Sequence, residues 1–310
     1  MDAELMTARH LEAFQALMTS TGLKEAAEKL NCSIPAISKA IGVLERQAQA
    51  PLFVRVGGRL QATAEALAFL PSAQSALNAM EVARRDLLQL ATEKPPRLKV
   101  GVGGGALPYW VPEAIRRCRE ALPGLEVEMI THPTQKLLHL VATHQIDVAV
   151  ATPPPHNTDA NLLSLCAITP IQEAPLVAVV PAQHPLARRR VLRPQDLAGT
   201  PLITLYEKSP TVALVSAAFK ESGEKLDIAI QVNNSISACY LVNIGAGVGL
   251  IHPEALAGGA FANLVKIDFL PRVSMTTFLY LPKVPVNAAL SERFVRKLRE
   301  VCGPQRTRKA

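Results

Sequence analysis

No apolar run in this chain approaches the length of about 18 residues that a bilayer crossing requires. Its start, Met1-Asp2-Ala3-Glu4, lacks the basic residues and apolar stretch of an export signal, so the protein is expected to stay in the cytoplasm. Cysteines are few and scattered: Cys32, Cys118, Cys166, Cys239 and Cys302 are odd in number and form no CxxC pair. That spacing argues against a disulfide framework and a thiolate zinc site, and leaves most of them as small buried hydrophobes. The histidines give no metal spacing either, since His139 and His144 are five apart and miss the one-turn pairing of a helix-borne site. No Gly-x-Ser-x-Gly elbow occurs, and no spacing sets a serine beside a histidine and an acid. The glycines Gly245, Gly247 and Gly249 resemble part of a dinucleotide fingerprint but precede an apolar strand, where that fingerprint follows one. The expectation is a protein that is not an enzyme, with no metal and no cofactor.

What is present is most informative between residues 23 and 55, LKEAAEKLNCSIPAISKAIGVLERQAQAPLFVR. Leu23, Ala26, Ala27 and Leu30 recur at helical spacing, and the paired alanines allow a crossing helix to approach closely. Asn31-Cys32 breaks the period. Ser33 can cap a second helix, and Pro35 suits its first turn because its missing N–H would have no partner there. Ile37, Ile41 and Leu44 form the buried stripe of that helix. Its front then offers Ile34, Pro35, Ser38 and Lys39, a surface able to enter a major groove. Upstream, Leu11, Phe14, Leu17 and Met18 mark a further amphipathic helix. Downstream, Leu52 to Arg55 leads through Gly57-Gly58 to Arg59, Leu60 and Thr63, as in a two-stranded wing.

The segment resembles the winged helix-turn-helix domain of LysR-type transcriptional regulators, on Ala26-Ala27, the run from Ser33 to Ser38, Leu44-Glu45 and Leu52 to Arg55. The resemblance implies double-stranded promoter DNA as a partner, with Ser33, Ile34, Pro35, Ser38 and Lys39 at the groove and Arg55 and Arg59 on the wing. The family usually has Gln after the capping serine, a side chain able to pair with adenine. Ile34 offers only apolar contact, such as with a thymine methyl, so the preferred site is expected to differ. The net charge is +7, but residues 1 to 60 hold seven basic side chains against six acids. An excess of one neutralises few phosphates, so useful affinity calls for several copies on one DNA segment. Much of the surplus lies in Arg188 to Arg193 and between Arg293 and Lys309.

Beyond the wing, Leu67, Leu70, Leu77, Met80, Leu87 and Leu90 form a helix-like stripe with too few polar neighbours for a solvated rod. The simplest partner is the same helix of a second subunit, which predicts a dimer or tetramer. Pro71 is expected to bend or interrupt its first turns. From Leu98 strands and helices alternate: a strand to Val102, a helix from Pro108 to Ala121, a strand from Leu125 to Ile130, a helix from Thr134 to Thr143 and a strand from Ile146 to Val150. A second run has strands at Leu176 to Val180, Leu202 to Leu205, Ile228 to Val232 and Val248 to Ile251, with helices from about Thr211 to Ser222 and Ser235 to Ile244. A strand from Ser274 to Leu281 and a helix from Asn287 to Val301 follow.

The predicted fold class is thus α/β with an N-terminal winged helix-turn-helix at 1–63, a linker and dimerisation helix at 64–96, and a C-terminal effector-binding domain at 97–310. That order resembles the family's effector domain, a two-lobed unit like a periplasmic binding protein. Lobe I is expected at about 97–168 and 270–310, lobe II at about 169–269. Ligands in such sheets bind beyond the carboxyl ends of strands, where helix N-termini aim backbone amides outward. Those ends supply Gly104, Gly105, Pro133, Thr134, Thr204, Tyr206, Ser209, Asn234 and Ser235 as effector-binding candidates. Many uncharged donors and few fixed charges point to an anionic or zwitterionic small molecule. The rival reading is a transport-type solute-binding protein, which the absent export signal and the helix-turn-helix both oppose.

Overall fold

The computed structural model describes residues 5–90, 95–103, 109–155, 157–206 and 210–303. The chain divides into two compact units: Met1–Lys94 with Ala142–Gln145 and Asp159–Leu165, and Pro95–Val141 with Ile146–Thr158 and Cys166–Ala310.

The first unit contains α1 (Ala8–Met18), α2 (Leu23–Lys29), α3 (Ile34–Ala48), the hairpin β1 (Phe53–Val56) and β2 (Arg59–Ala62), and α4 (Ala64–Leu90). Phe14 of α1 is its central core residue, with its ring centroid 5.9 Å from that of Phe53 and 5.2 Å from that of Phe69. Leu11, Leu17, Ala26, Ala27, Ile37, Ile41, Leu44 and Leu52 complete the core. Leu30, at helical spacing with Leu23, Ala26 and Ala27, follows α2 as its C-cap and is exposed. Asn31 takes a left-handed backbone with φ of 50°, and Cys32 N–H bonds back to the Ala27 carbonyl at 3.0 Å, which turns the chain between α2 and α3.

Helix α4 runs unbroken across Pro71, so of the expected bend or interruption the interruption does not occur. Pro71 is buried there, and Ala66, Ala73, Leu70 and Leu77 pack on the unit's own core. Those contacts offset the backbone hydrogen bond that proline cannot make. Leu67, Met80 and Leu87 of the same stripe remain exposed.

The second unit begins with β3 (Arg97–Val102), α5 (Trp110–Ala121), β4 (Glu126–Thr131), α6 (Thr134–Ala142) and β5 (Val148–Ala151). After α7 (Ala160–Leu165), part of the first unit, come β6 (Cys166–Pro175), β7 (Val177–Pro181), β8 (Val191–Leu192), β9 (Leu202–Leu205), α8 (Pro210–Glu221), β10 (Ile228–Val232), α9 (Ser235–Asn243), β11 (Val248–Ile251), β12 (Leu264–Phe269), β13 (Ser274–Pro282) and α10 (Ala288–Cys302). One sheet has the order β4-β3-β5-β13-β6 and the other β10-β9-β11-β7-β12-β8. Each sheet carries its own core, so the unit has two lobes.

The chain leaves the first sheet at Pro175 rather than near residue 168, because β6 pairs with β13 from Cys166 to Pro175. It returns between Phe269 and Ser274. Strand β6 escaped the sequence reading because Pro170 and Pro175 look like strand breakers; it is an edge strand, where a missing donor is tolerated. Gly103 follows β3 at a point where a side chain would collide with Ala151, its Cβ falling 2.5 Å from that of Ala151. Of the glycines of the incomplete dinucleotide motif, Gly245 and Gly247 lie between α9 and β11 and Gly249 lies within β11, so they open a strand rather than a helix.

Candidate functional site

On the first unit, Ser33 caps α3 by accepting the Ala36 N–H at 3.4 Å. Ile37, Ile41, Val43 and Leu44 are buried on α3, while Ile34, Pro35, Ser38 and Lys39 are exposed together at its N-terminal end. Ile34 is 44% exposed. The adjacent hairpin turns on Gly57 and Gly58, with φ of 58° and 80°. Two left-handed residues in a two-residue turn match the natural strand twist, and glycine adopts them without strain. Arg55 and Arg59 flank that turn, both exposed, and the Arg55 guanidinium donates to the Gly58 carbonyl at 3.4 Å.

Two anchors that the sequence reading left unexplained set the wing. The Glu45 carboxylate accepts backbone N–H bonds from Leu52 and Phe53. The Thr63 hydroxyl donates to the Pro51 carbonyl at 2.9 Å and accepts the Ala66 N–H at 3.2 Å, joining β2 to the first turn of α4. At the start of α2, Glu25 accepts from the Thr21 N–H at 2.7 Å and hydroxyl at 2.8 Å and pairs with Lys29 at 3.0 Å. The Thr21 hydrogen bonds and Lys29 hold its carboxyl down at about 2.

On the second unit, the parallel strands β3, β4 and β5 of one lobe and β9, β10 and β11 of the other end in polar loops. Thr134, the first residue of α6, is nearly buried and shares a 2.9 Å hydrogen bond with the Thr152 hydroxyl beyond β5. Pro133 beside it is exposed. Thr204 is buried in β9, its hydroxyl turned to the Leu205 carbonyl at 3.1 Å, and Tyr206 is exposed just past that strand. Asn234 caps α9 by accepting the Ser237 N–H at 2.8 Å. Ser235, 1% exposed, has a hydroxyl with no hydrogen-bond partner among the described residues. Gly104, Gly105 and Ser209 lie outside the described residues.

Four further residues belong to these strand ends. Thr152 follows β5 directly, and its carbonyl accepts the Tyr280 hydroxyl at 2.6 Å. His252 follows β11, and its ring meets that of Trp110 at the start of α5, linking the two lobes. The strand-end rule could have selected Thr152 and His252; nothing in the local pattern marked Tyr280. Among the described residues no group of His, Cys, Asp and Glu could hold a metal ion, and no helix is long and apolar enough to cross a membrane.

Residues 8–67 match the model of bacterial regulatory helix-turn-helix proteins of the lysR family, and residues 91–303 match that of the LysR substrate binding domain. The chain is 28% identical over 280 residues to a probable RuBisCO transcriptional regulator of Cyanidioschyzon merolae, covering 88% of this chain and 90% of that protein. It is 26% identical over 294 residues to the transcriptional activator protein LysR of Escherichia coli K12, covering 92% and 90%. A variant of full-length OxyR from Pseudomonas aeruginosa shares the fold with a TM-score of 0.67 at 19% identity, covering 99% of this chain and all of that one. With its helix-turn-helix and its two-lobed domain both matched, the chain belongs to the LysR family and is a DNA-binding transcriptional regulator with an effector-binding domain.

Proposed function

We propose that α3 reads operator DNA through Ile34, Pro35, Ser38 and Lys39, with Ser33 fixing the helix start and Arg55 and Arg59 of the wing on phosphate. The observation that carries this is the exposed cluster at the front of α3 opposite a fully apolar buried face. Phosphate contacts position and base contacts specify, so the two groups have separable effects. The exposed Leu67, Met80 and Leu87 of α4 pair with a second copy, and the dimer or a tetramer of it sets several DNA domains on one operator in the cytoplasm.

The effector is a small anionic or zwitterionic molecule held between the lobes. The unpartnered Ser235 hydroxyl at the N-terminus of α9, the Asn234 cap and the Thr134 hydroxyl at the N-terminus of α6 support this, because helix N-termini favour negative charge. Of the remaining candidates, Pro133, Thr204 and Tyr206 lie at the same strand ends, and Gly104, Gly105 and Ser209 lie outside the described residues. Closure on the ligand shifts the regulator only if the ligand binds the two lobe arrangements with different affinity. The test is Thr134→Trp in a reporter assay: basal promoter binding is kept and the effector response is lost. A normal response moves the site elsewhere.

A further inference from the structure

A ring pair joins the two lobes. Trp110 opens α5 in the first lobe and His252 follows β11 in the second; their centroids are 6.2 Å apart with planes at 88°, the edge-to-face arrangement favoured by ring quadrupoles. Both are buried, Trp110 at 4% and His252 at 2% exposure. The Nδ1 of His252 accepts the Glu254 N–H at 3.4 Å, so the neutral ring carries its proton on Nε2. That Nε2 is buried without a hydrogen-bond partner among the described residues. A neutral imidazole tolerates this position. An imidazolium would bring a full charge to a site with no acceptor for Nε2 among the described residues, against an apolar core.

We infer that Trp110 and His252 form an inter-lobe latch, holding the effector domain closed while the imidazole is neutral and releasing it when the ring is protonated and must reach water. Burial holds His252 at about 4, below its ordinary 6.5. The sign follows from linkage: between those values an opened, solvated His252 takes up a proton that the closed one refuses. Closure therefore weakens about tenfold for each pH unit below 6.5 and levels off below about 4.

The surrounding groups do not cancel this. Glu254, two residues on, has its carboxyl raised by burial, which favours the neutral acid over a charge that would attract an imidazolium, and Lys266 on β12 opposes that rise. Cys302 at the end of α10 is pushed up to about 12 by burial and by Glu254, and stays a neutral thiol. On α5, Glu113 is committed to Arg116 and Arg117.

Trp110 is the only tryptophan in the chain, so indole fluorescence reports its surroundings, and the His252 variants isolate the part that depends on this contact. In the full-length protein, lowering the pH from 7.5 to 5 should red-shift Trp110 emission and increase its quenching by acrylamide, with far-ultraviolet circular dichroism unchanged. His252→Phe keeps an edge-to-face ring that cannot titrate, and its emission and quenching should stay constant over the same range. If that variant differs from the parent in circular dichroism at pH 7.5, His252→Leu carries the same expectation. Constant parental emission and quenching, or equal changes in parent and variant, would overturn the latch. So would an intensity drop with no red shift or gain in quenching, which means that His252 charges in place, or loss of secondary structure over this range.

Discussion

The Glu45 carboxylate lies 2.8 Å from the backbone nitrogen of Leu52, and the same oxygen is 3.2 Å from that of Phe53. A residue of α3 thus holds the first strand of the wing by charge-assisted hydrogen bonds that are partly shielded from water. Leu52 is itself a core residue, so its amide has little access to a replacement partner. Glu45→Ala should cost about 1.5–3 kcal/mol in unfolding free energy. Denaturant unfolding measures that loss, and a change below about 0.5 kcal/mol would show that water replaces the carboxylate.

The wing also gives a DNA prediction. Arg55→Ala should weaken binding to specific and unrelated duplexes alike and reduce the salt slope by about one unit. Ile34→Gln should instead change which sequences emerge from a randomised-site selection, since glutamine can pair with adenine where isoleucine cannot. A relaxed preference at a single base pair in Arg55→Ala would assign that arginine to a base edge.

Helix α4 separates two roles that its leucine stripe merged. Leu87 is 68% exposed, whereas Leu77 packs partly on the core of its own unit. If the exposed part of the stripe pairs with a second copy, Leu87→Asp buries an unpaired charge there at a cost of about 3–5 kcal/mol. Sedimentation should then show dissociation at a concentration where the parent stays associated, with the thermal stability of the DNA-binding unit retained. Leu77→Asp should lower that stability as well.

The DNA-binding unit was legible in the sequence because its signals are local: a capping serine, paired alanines, a Gly-Gly turn and helical spacing each act within a few residues. The parallel strands were legible for the same reason, as short apolar runs such as Val148 to Ala151 that are buried on both faces. Strands β6 and β12 were not. Their signal is pairing with distant strands, Cys166 with Pro282 and Asp268 with Val177, which no window of sequence contains. The strand ends proposed to hold the effector were legible because they follow those apolar runs directly. The partners of their side chains were not, because Tyr280 reaches Thr152 across 128 residues of chain.

Glu25 gives a pH dependence for the DNA-binding unit. Its carboxyl is held at about 2 against an ordinary 4.5, so the stabilisation it contributes is present above pH 4.5 and is lost as pH falls from 4.5 to about 2. Glu25→Gln should lower the melting temperature at pH 7, and the difference from the parent should shrink over that acid range. An equal difference at pH 7 and pH 2.5 would mean that the side chain acts through its shape rather than its charge.

The Tyr280 hydroxyl, buried and donating to the Thr152 carbonyl, supports the rim on which Thr134 sits. Burial pushes that phenol up, so it remains a neutral donor at any pH where the fold persists. Tyr280→Phe keeps the ring and removes only the donor, leaving the carbonyl with the Thr134 hydroxyl, 3.4 Å away. The cost should be about 1–2 kcal/mol, since a buried acceptor loses its strongest partner. Thr134→Val removes the other side of the network and should cost a similar amount. The two losses should not add in the double variant, because both groups act on Thr152. A double-variant cycle with an interaction energy near zero would show that Tyr280 and Thr134 are independent, and that the rim is held by the backbone alone.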